Sequence, residues 1–229
     1  VSSQNSETGE WTMSVPYGSI YANVAGKIDF NMWYNQFSYP SPVARDNSLK
    51  KISFERAYPY YYLKDDATRM FFEYINLEEA DLAELRVNDD ISMKEMFIGC
   101  SKLEVVKLWN RLSGNKIMEN VTSTEYMFSG CSSLNTLTLP QKVNSGKLES
   151  MSCMFNGCSS LTAIDLSGWN LNNVTIMGSL FQNCSGLTSV ALPKVTSKKI
   201  QYMQRMFSGC SALTSIDLSG WNVENVKYM

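Results

Sequence analysis

The sequence predicts an α/β solenoid, in which each coil is one short helix and one short parallel strand, entered through a small β-rich cap. Three observations predict it. First, phenylalanine recurs in register at Phe71, Phe97, Phe128, Phe155, Phe181 and Phe207, with spacings of 26, 31, 27, 26 and 26 residues. A leucine follows each by six residues: Leu77, Leu103, Leu134, Leu161, Leu187 and Leu213. Second, every copy carries two hydrophobic periods, one of helical and one of strand type. Third, a left-handed residue type, Gly or Asn, stands between them. Self-similarity at this period marks stacked repeats whose neighbours bury a continuous core.

The elements follow in chain order. Residues 1–10, VSSQNSETGE, are polar and poor in helix formers, and read as a tether. Residues 11–69 hold 13 aromatics and no repeat. Strand formers in WTMSVPYG, KIDFNMWYNQF and KKISFERAYPYYYL are separated by Gly, Pro, Ser and Asn, which predicts a few antiparallel strands. That unit serves as the atypical cap a solenoid needs over its first coil. A sharper reading makes Trp33, Tyr58, Tyr60, Tyr61 and Tyr62 stacking platforms for a glycan.

Copies of the repeat begin near residues 70, 96, 127, 154, 180 and 206, so the solenoid spans 70–229. In the last complete copy Ile200, Met203, Met206, Phe207 and Cys210 fall at helical spacing and predict an apolar helix face. Gly99, Gly130, Gly157, Asn183 and Gly209 stand two residues after the Phe, where a helix closes on a left-handed residue. Glu73 breaks this pattern, so the first copy is expected to turn differently. Leu213, Ile216 and Leu218 then give the L-x-x-I-x-L pattern of a leucine-rich-repeat strand. Loops are expected where the spacing lengthens, at Arg111 to Lys116 and Pro140 to Lys147. Pro140 and Pro193 should end their strands, and Trp169 and Trp221 should cover the gap before the next helix.

Cys100, Cys131, Cys158, Cys184 and Cys210 form an expected inward column, one per coil. Zinc wants clustered pairs with His, and here the sulfurs lie a full repeat apart without any His. Parallel side chains also present poor disulfide geometry. Buried free thiols packing as small hydrophobes are therefore expected. Cys153 lies two residues before Phe155, outside the column, and is expected to be exposed or half-exposed.

The text MFxGCSxLTxIDLSGWNxxNV, met best at Met154–Val174 and Met206–Val226, resembles the repeat of BspA-like bacterial surface proteins and mycoplasma-type lipoproteins. The resemblance covers Met70 to Met229. It implies a leucine-rich-repeat-like fold, a secreted or cell-surface location as a bacterial lipoprotein, and an interaction or adhesive role with a protein or glycan of a host or matrix surface. It brings no catalytic residues.

Composition narrows the classes further. The chain has 229 residues, 44% hydrophobic, with a net charge of -2. That balance gives no basic footprint for nucleic acid. The absence of His removes the commonest general base and metal ligand, and no G-x-S-x-G, H-E-x-x-H or phosphate-loop motif occurs. No enzyme, metal or cofactor is expected. No apolar run reaches about 18 residues, the length of a membrane span. A lipid anchor upstream of Val1 is compatible with the start of the chain, and the uncapped last coil leaves end-to-end self-association or a truncated end as expectations. The candidate protein-binding surface is the outward strand face: Val105 and Lys107, Thr136 and Thr138, Ala163 and Asp165, Ser189 and Ala191, Ser215 and Asp217. A rigid display spacer is the alternative role. Asn120, Asn173 and Asn183 head N-x-S/T strings, and the last two already have places in the repeat.

Overall fold

The structure, a computed structural model, describes residues 2–4, 11–15, 27–28, 49–54, 61–63, 67–83, 85–87, 91–108 and 121–229. Its strands in chain order are β1 (Ser2–Gln4), β2 (Trp11–Val15), β3 (Lys27–Ile28), β4 (Leu49–Phe54), β5 (Tyr61–Leu63), β6 (Glu79–Asp81) and β7 (Leu85–Val87). There follow β8 (Ile91–Ser92), β9 (Val105–Lys107), β10 (Val121–Ser123), β11 (Thr136–Thr138), β12 (Ala163–Asp165) and β13 (Ser189–Ala191). The repeat region is a parallel β-solenoid. Each coil places one strand on a face shared with its neighbours: β6, β9 and β11 pair in register, as do β12 and β13. A second face is a column of parallel bridges running from β8 and β10 through Ser150, Ile176 and Tyr202 to Tyr228.

The expected helix is absent: the described residues contain no α-helix. The reason lies in the backbone. Each segment carries two left-handed residues four apart, Glu95 with Gly99, Tyr126 with Gly130, Cys153 with Gly157, Ser179 with Asn183 and Arg205 with Gly209. An α-helix of L-residues excludes both. The chain instead makes overlapping β-turns. Met96 N–H donates to Met93 O (3.3 Å), Ile98 to Glu95 O (3.3 Å) and Cys100 to Phe97 O (3.1 Å). The intervening amides reach across to the next coil: Glu95 to Glu125 O, Phe97 to Met127 O and Gly99 to Ser129 O, all at 2.8 Å. A train of turns returns to the same side every three or four residues, as a helix does. The apolar spacing therefore marks one buried stripe, built by turns and not by a helix. Gly and Asn183 are left-handed as expected, but Glu73 adopts the same conformation (φ 56°), so the first copy turns like the others.

The glycine column is left-handed throughout and tightest at its last member. A Cβ on Gly130 would lie 3.5 Å from the Cα and N of Gly99, and one on Gly209 would meet Asn183 Oδ1 at 2.6 Å.

Inside the coils the side chains stack by type. The rings of Phe71, Phe97, Phe128, Phe155, Phe181 and Phe207 form one spine, with centroid steps of 5.0, 5.5, 5.8, 5.5 and 5.5 Å and planes within 14° of parallel. Beside it, Met93, Met151, Met177 and Met203 are buried at equivalent places. The Phe128 coil puts Thr124 there instead, 1% exposed, and its Oγ1 has no hydrogen-bond partner. A buried unpaired hydroxyl costs about 1–3 kcal/mol. Thr124→Val keeps the shape and removes that group, so the urea midpoint should rise by an amount worth about 1 kcal/mol with an unchanged slope. A fall in midpoint would show that the hydroxyl has a partner in solution.

The amino-terminal strands differ from expectation. β1 and β2 pair antiparallel, and Ser2–Gln4 lies within the stretch read as a tether. Beyond them the pairing is parallel: β2 with β4, β4 with β6, β3 with β5, and β5 with β7. The six-stranded sheet β1-β2-β4-β6-β9-β11 thus runs across residue 70 without a break. The loop placed at Arg111 to Lys116 lies outside the described residues. Among the described residues no helix is long and apolar enough to cross a membrane.

Candidate functional site

The interior is fully committed to packing, and the cysteines show this best. All six are free thiols, and the five column members are buried. Each column thiol donates to the Phe carbonyl of the coil before it: Cys100 to Phe71 O (3.0 Å), Cys131 to Phe97 O (3.1 Å), Cys158 to Phe128 O (3.2 Å), Cys184 to Phe155 O (3.0 Å) and Cys210 to Phe181 O (2.9 Å). The same carbonyl accepts a turn amide, as Phe97 O does from Cys100 N–H. Both of its lone pairs are used, and every buried polar group on this line is satisfied. Burial pushes the Cys131 and Cys158 thiols well above their ordinary value and Cys184 up to about 12. These are inert packing groups rather than nucleophiles.

Cys153 corrects the expectation of exposure. It is 9% exposed and classed with the buried residues, outside the column, in a left-handed conformation. Its sulfur lies against Tyr126, whose phenol is raised above its usual value chiefly by that hydrogen bond. The equivalent left-handed residues Glu95, Tyr126 and Ser179 are half-buried and Arg205 is exposed, so the position alone does not bury a side chain; at Cys153 the Tyr126 phenol of the preceding coil lies against the sulfur.

The tryptophans cover the loop gaps, as the sequence suggested. Trp169 Nε1 donates to Pro140 O at 3.1 Å and Trp221 Nε1 to Pro193 O at 2.9 Å. Each indole nitrogen is paired with the preceding coil and is not available to a ligand.

What remains outward is the strand face. Alternation operates as expected on β12, where Ile164 is buried and Ala163 and Asp165 are exposed. Thr136, Ser189 and Ala191 are exposed, while Thr138 and Lys107 are half-buried. Ser215 and Asp217 are exposed but lie outside any strand. The register lines these residues up: Asp81, Lys107 and Thr138 form one row, and Glu79, Val105 and Thr136 the adjacent row. At its amino-terminal end the face is charged. Lys107 Nζ lies 2.9 Å from Asp81 and 3.9 Å from Glu79, and Lys51 lies 3.4 Å from Glu79. The Asp81 carboxylate holds the Lys107 ammonium above its usual value. From Thr136 onward the face is small and mostly uncharged.

Asp165 and Asp217 have a local task that sequence reasoning missed. Asp165 Oδ1 accepts Ser167 N–H and Asp217 Oδ1 accepts Ser219 N–H, each at 2.8 Å. These Asx turns end the strand segment. Hydrogen bonds from Ser167 and from Ser219 hold the two carboxyls below their usual range. The signal was present as Asp-Leu-Ser in both copies. Of the aromatic candidates, Tyr61 and Tyr62 are on β5, while Trp33, Tyr58 and Tyr60 lie outside the described residues. Among the described residues no group of three His, Cys, Asp or Glu is placed to hold a metal ion.

The comparisons bear on the repeat region. The family model described as Mycoplasma protein of unknown function, DUF285, matches residues 65–137, 91–191 and 149–229. These are the residues in which the mycoplasma-type resemblance was read. Among solved structures the chain is similar to a leucine-rich repeat protein from Bacteroides ovatus, with 18% identity and a TM-score of 0.41, over 79% of this chain and 48% of that one. It is similar to the leucine-rich repeat protein of T. pallidum, with 15% identity and a TM-score of 0.38, over 94% and 88% of the two chains. A leucine rich cell surface protein from Faecalibacterium prausnitzii matches with 17% identity and a TM-score of 0.36, over 94% and 52%. The chain thus spans about half the length of the first and third of these. No curated protein matches.

Proposed function

We propose that this chain, which belongs to the family described as Mycoplasma protein of unknown function, DUF285, is a surface-displayed scaffold that binds a protein partner on its strand face. One observation carries the reading. From coil to coil the interior hardly changes, with Phe on Phe and Cys on Cys, while the outward strand rows change at nearly every step. One row reads Glu79, Val105, Thr136, Ala163, Ser189 and Ser215, and the other Asp81, Lys107, Thr138, Asp165, Ala191 and Asp217. Such a frame presents freely specified side chains in two outward rows, which is what a recognition surface requires. The family resemblance supports an extracellular setting, with a host or matrix protein as the partner class and adhesion as the role.

The Asx turns make Asp165 and Asp217 poor probes, because changing them alters the strand exit as well as the surface. Thr136→Lys with Ser189→Lys is the cleaner block, and Ser132→Lys with Ser185→Lys, on the exposed turns, is the control. Binding to a panel of immobilised extracellular-matrix proteins should show at least one interaction that the strand-face pair weakens by about tenfold or more, equivalent to about 1.4 kcal/mol. The control pair should leave it unchanged. No binding to the panel, or equal losses in the two variants, overturns the reading.

A further inference from the structure

A leucine stands eleven residues past the Phe in each coil: Leu82, Leu108, Leu139, Leu166 and Leu192 among them. Its main-chain N–H shows whether the strand before it is joined to the next coil. Leu82 donates to Lys107 O (2.8 Å), Leu108 to Thr138 O (3.0 Å) and Leu166 to Ala191 O (2.8 Å). Leu139 and Leu192 make no such bond to Asp165 and Asp217. Accordingly β11 and β12 lie in different sheets, and residues 215–217 form no strand beside β13. The two unjoined leucines are those followed by proline.

Two further observations coincide with this alternation. Leu82, Leu108 and Leu166 are fully buried, whereas Leu139 and Leu192 are partly exposed, as are Leu137 and Val190. The chemistry of the exit also differs at the unjoined coils. Asp81, Asp165 and Asp217 each accept the N–H two residues on, from Ala83, Ser167 and Ser219. Pro140 and Pro193 offer no N–H, and Thr138 and Ala191 stand in place of the aspartate. Outside the strand these coils remain joined. Phe128 N–H donates to Met154 O (2.8 Å), Asn170 to Val143 O (2.7 Å), Phe181 to Met206 O (2.9 Å) and Asn222 to Val195 O (2.7 Å). The widest step of the phenylalanine spine, 5.8 Å, is the one between Phe128 and Phe155.

We infer that each Leu-Pro coil meets the Trp coil after it at a flexion seam, closed along the turns and latched by the indole, but open along the strand face. From Pro140 onward the seams recur every two coils, as the 53 residues from Pro140 to Pro193 and the 52 from Trp169 to Trp221 record, while β6, β9 and β11 before it are joined without a seam. Bending a joined pair of strands breaks main-chain hydrogen bonds. At a seam there are none to break along the strands, so the face changes curvature by splaying between the six-stranded sheet that ends at β11, the β12–β13 pair and the last coil. This device does not depend on what the face binds.

Amide hydrogen exchange read residue by residue on the full chain tests it. Leu139 and Leu192 should exchange at least about a hundredfold faster than Leu82, Leu108 and Leu166, since only the latter must open a hydrogen bond. Equal protection at all five positions overturns the seam. Trp169→Phe keeps the ring and deletes the Nε1 donor. It should speed exchange at Asn170 by about tenfold and leave Asn222, at the other seam, unchanged. No change at Asn170, or equal acceleration through every coil, overturns the latch.

Discussion

Phe155→Ala should remove about 4–6 kcal/mol of stability. Deleting a fully buried Phe costs about 3–5 kcal/mol through lost transfer energy and the cavity left behind. Here the ring is completely buried and stacked on both sides, on Phe128 at 5.8 Å and on Phe181 at 5.5 Å. Each parallel aromatic contact adds about 0.5–1.5 kcal/mol beyond area. Phe207 is partly buried and stacks on Phe181 alone among the described rings. Phe207→Ala should therefore cost about 2 kcal/mol, scaled from the same deletion. In a solenoid each coil touches only its neighbours, so a central lesion also weakens the coupling between the two halves. Urea unfolding of Phe155→Ala should broaden into two steps, while Phe207→Ala keeps one. Equal losses at the two positions would mean that the stack is a geometric by-product and not the source of cohesion.

The spine and the thiol column were legible in the sequence because they follow from register alone. Six phenylalanines at near-constant spacing must superpose once coils stack, and the cysteines three residues on must superpose with them. The helix was misread because periodicity reports which side a residue faces and not the sign of φ. Glu95, Tyr126, Cys153, Ser179 and Arg205 are left-handed without being Gly or Asn, so composition gave no warning. Stacking overrides the local preference of the first four, whose amides each donate to the coil beyond, as Tyr126 N–H does to Ser152 O at 2.9 Å. Cys153 is buried beside Tyr126 of the preceding coil, a contact between coils that the repeat pattern does not report. On the strand face the sequence correctly predicted alternation at Ala163, Ile164 and Asp165. It did not show that Leu-Pro and Asp-Leu-Ser exits alternate, nor that joined and unjoined strands alternate with them. That pattern needs two coils to be compared as partners, and a search for one repeat treats them as equivalent copies.

Alkaline conditions should unfold this protein far more readily than its net charge suggests, and the cysteine column is the cause. Unfolded thiols titrate near pH 8.5. In the folded chain burial holds Cys131 and Cys158 well above that and Cys184 near 12. Between these limits the unfolded state has released protons that the folded state retains. Stability is then fully present below about pH 8.5 and falls by about 1.4 kcal/mol per pH unit for each such thiol, until the folded thiol itself ionises. By pH 10 Cys184 has lost about 2 kcal/mol, and Cys131 and Cys158 add losses of the same sign. Cys158→Ala separates this from the titration of lysines and tyrosines, which both proteins share. At pH 7 the variant should be less stable by about 1–2 kcal/mol, having lost the thiol bonded to Phe128 O and gained a small void. Its decline from pH 8.5 to 10 should be shallower by about 1.4 kcal/mol per unit, so the two curves converge near pH 10. Denaturant unfolding at pH 7, 8, 9 and 10 measures both slopes. Parallel curves would mean that Cys158 ionises as freely in the folded chain as in the unfolded one, which a sulfur enclosed by its own column and facing a carbonyl oxygen cannot do.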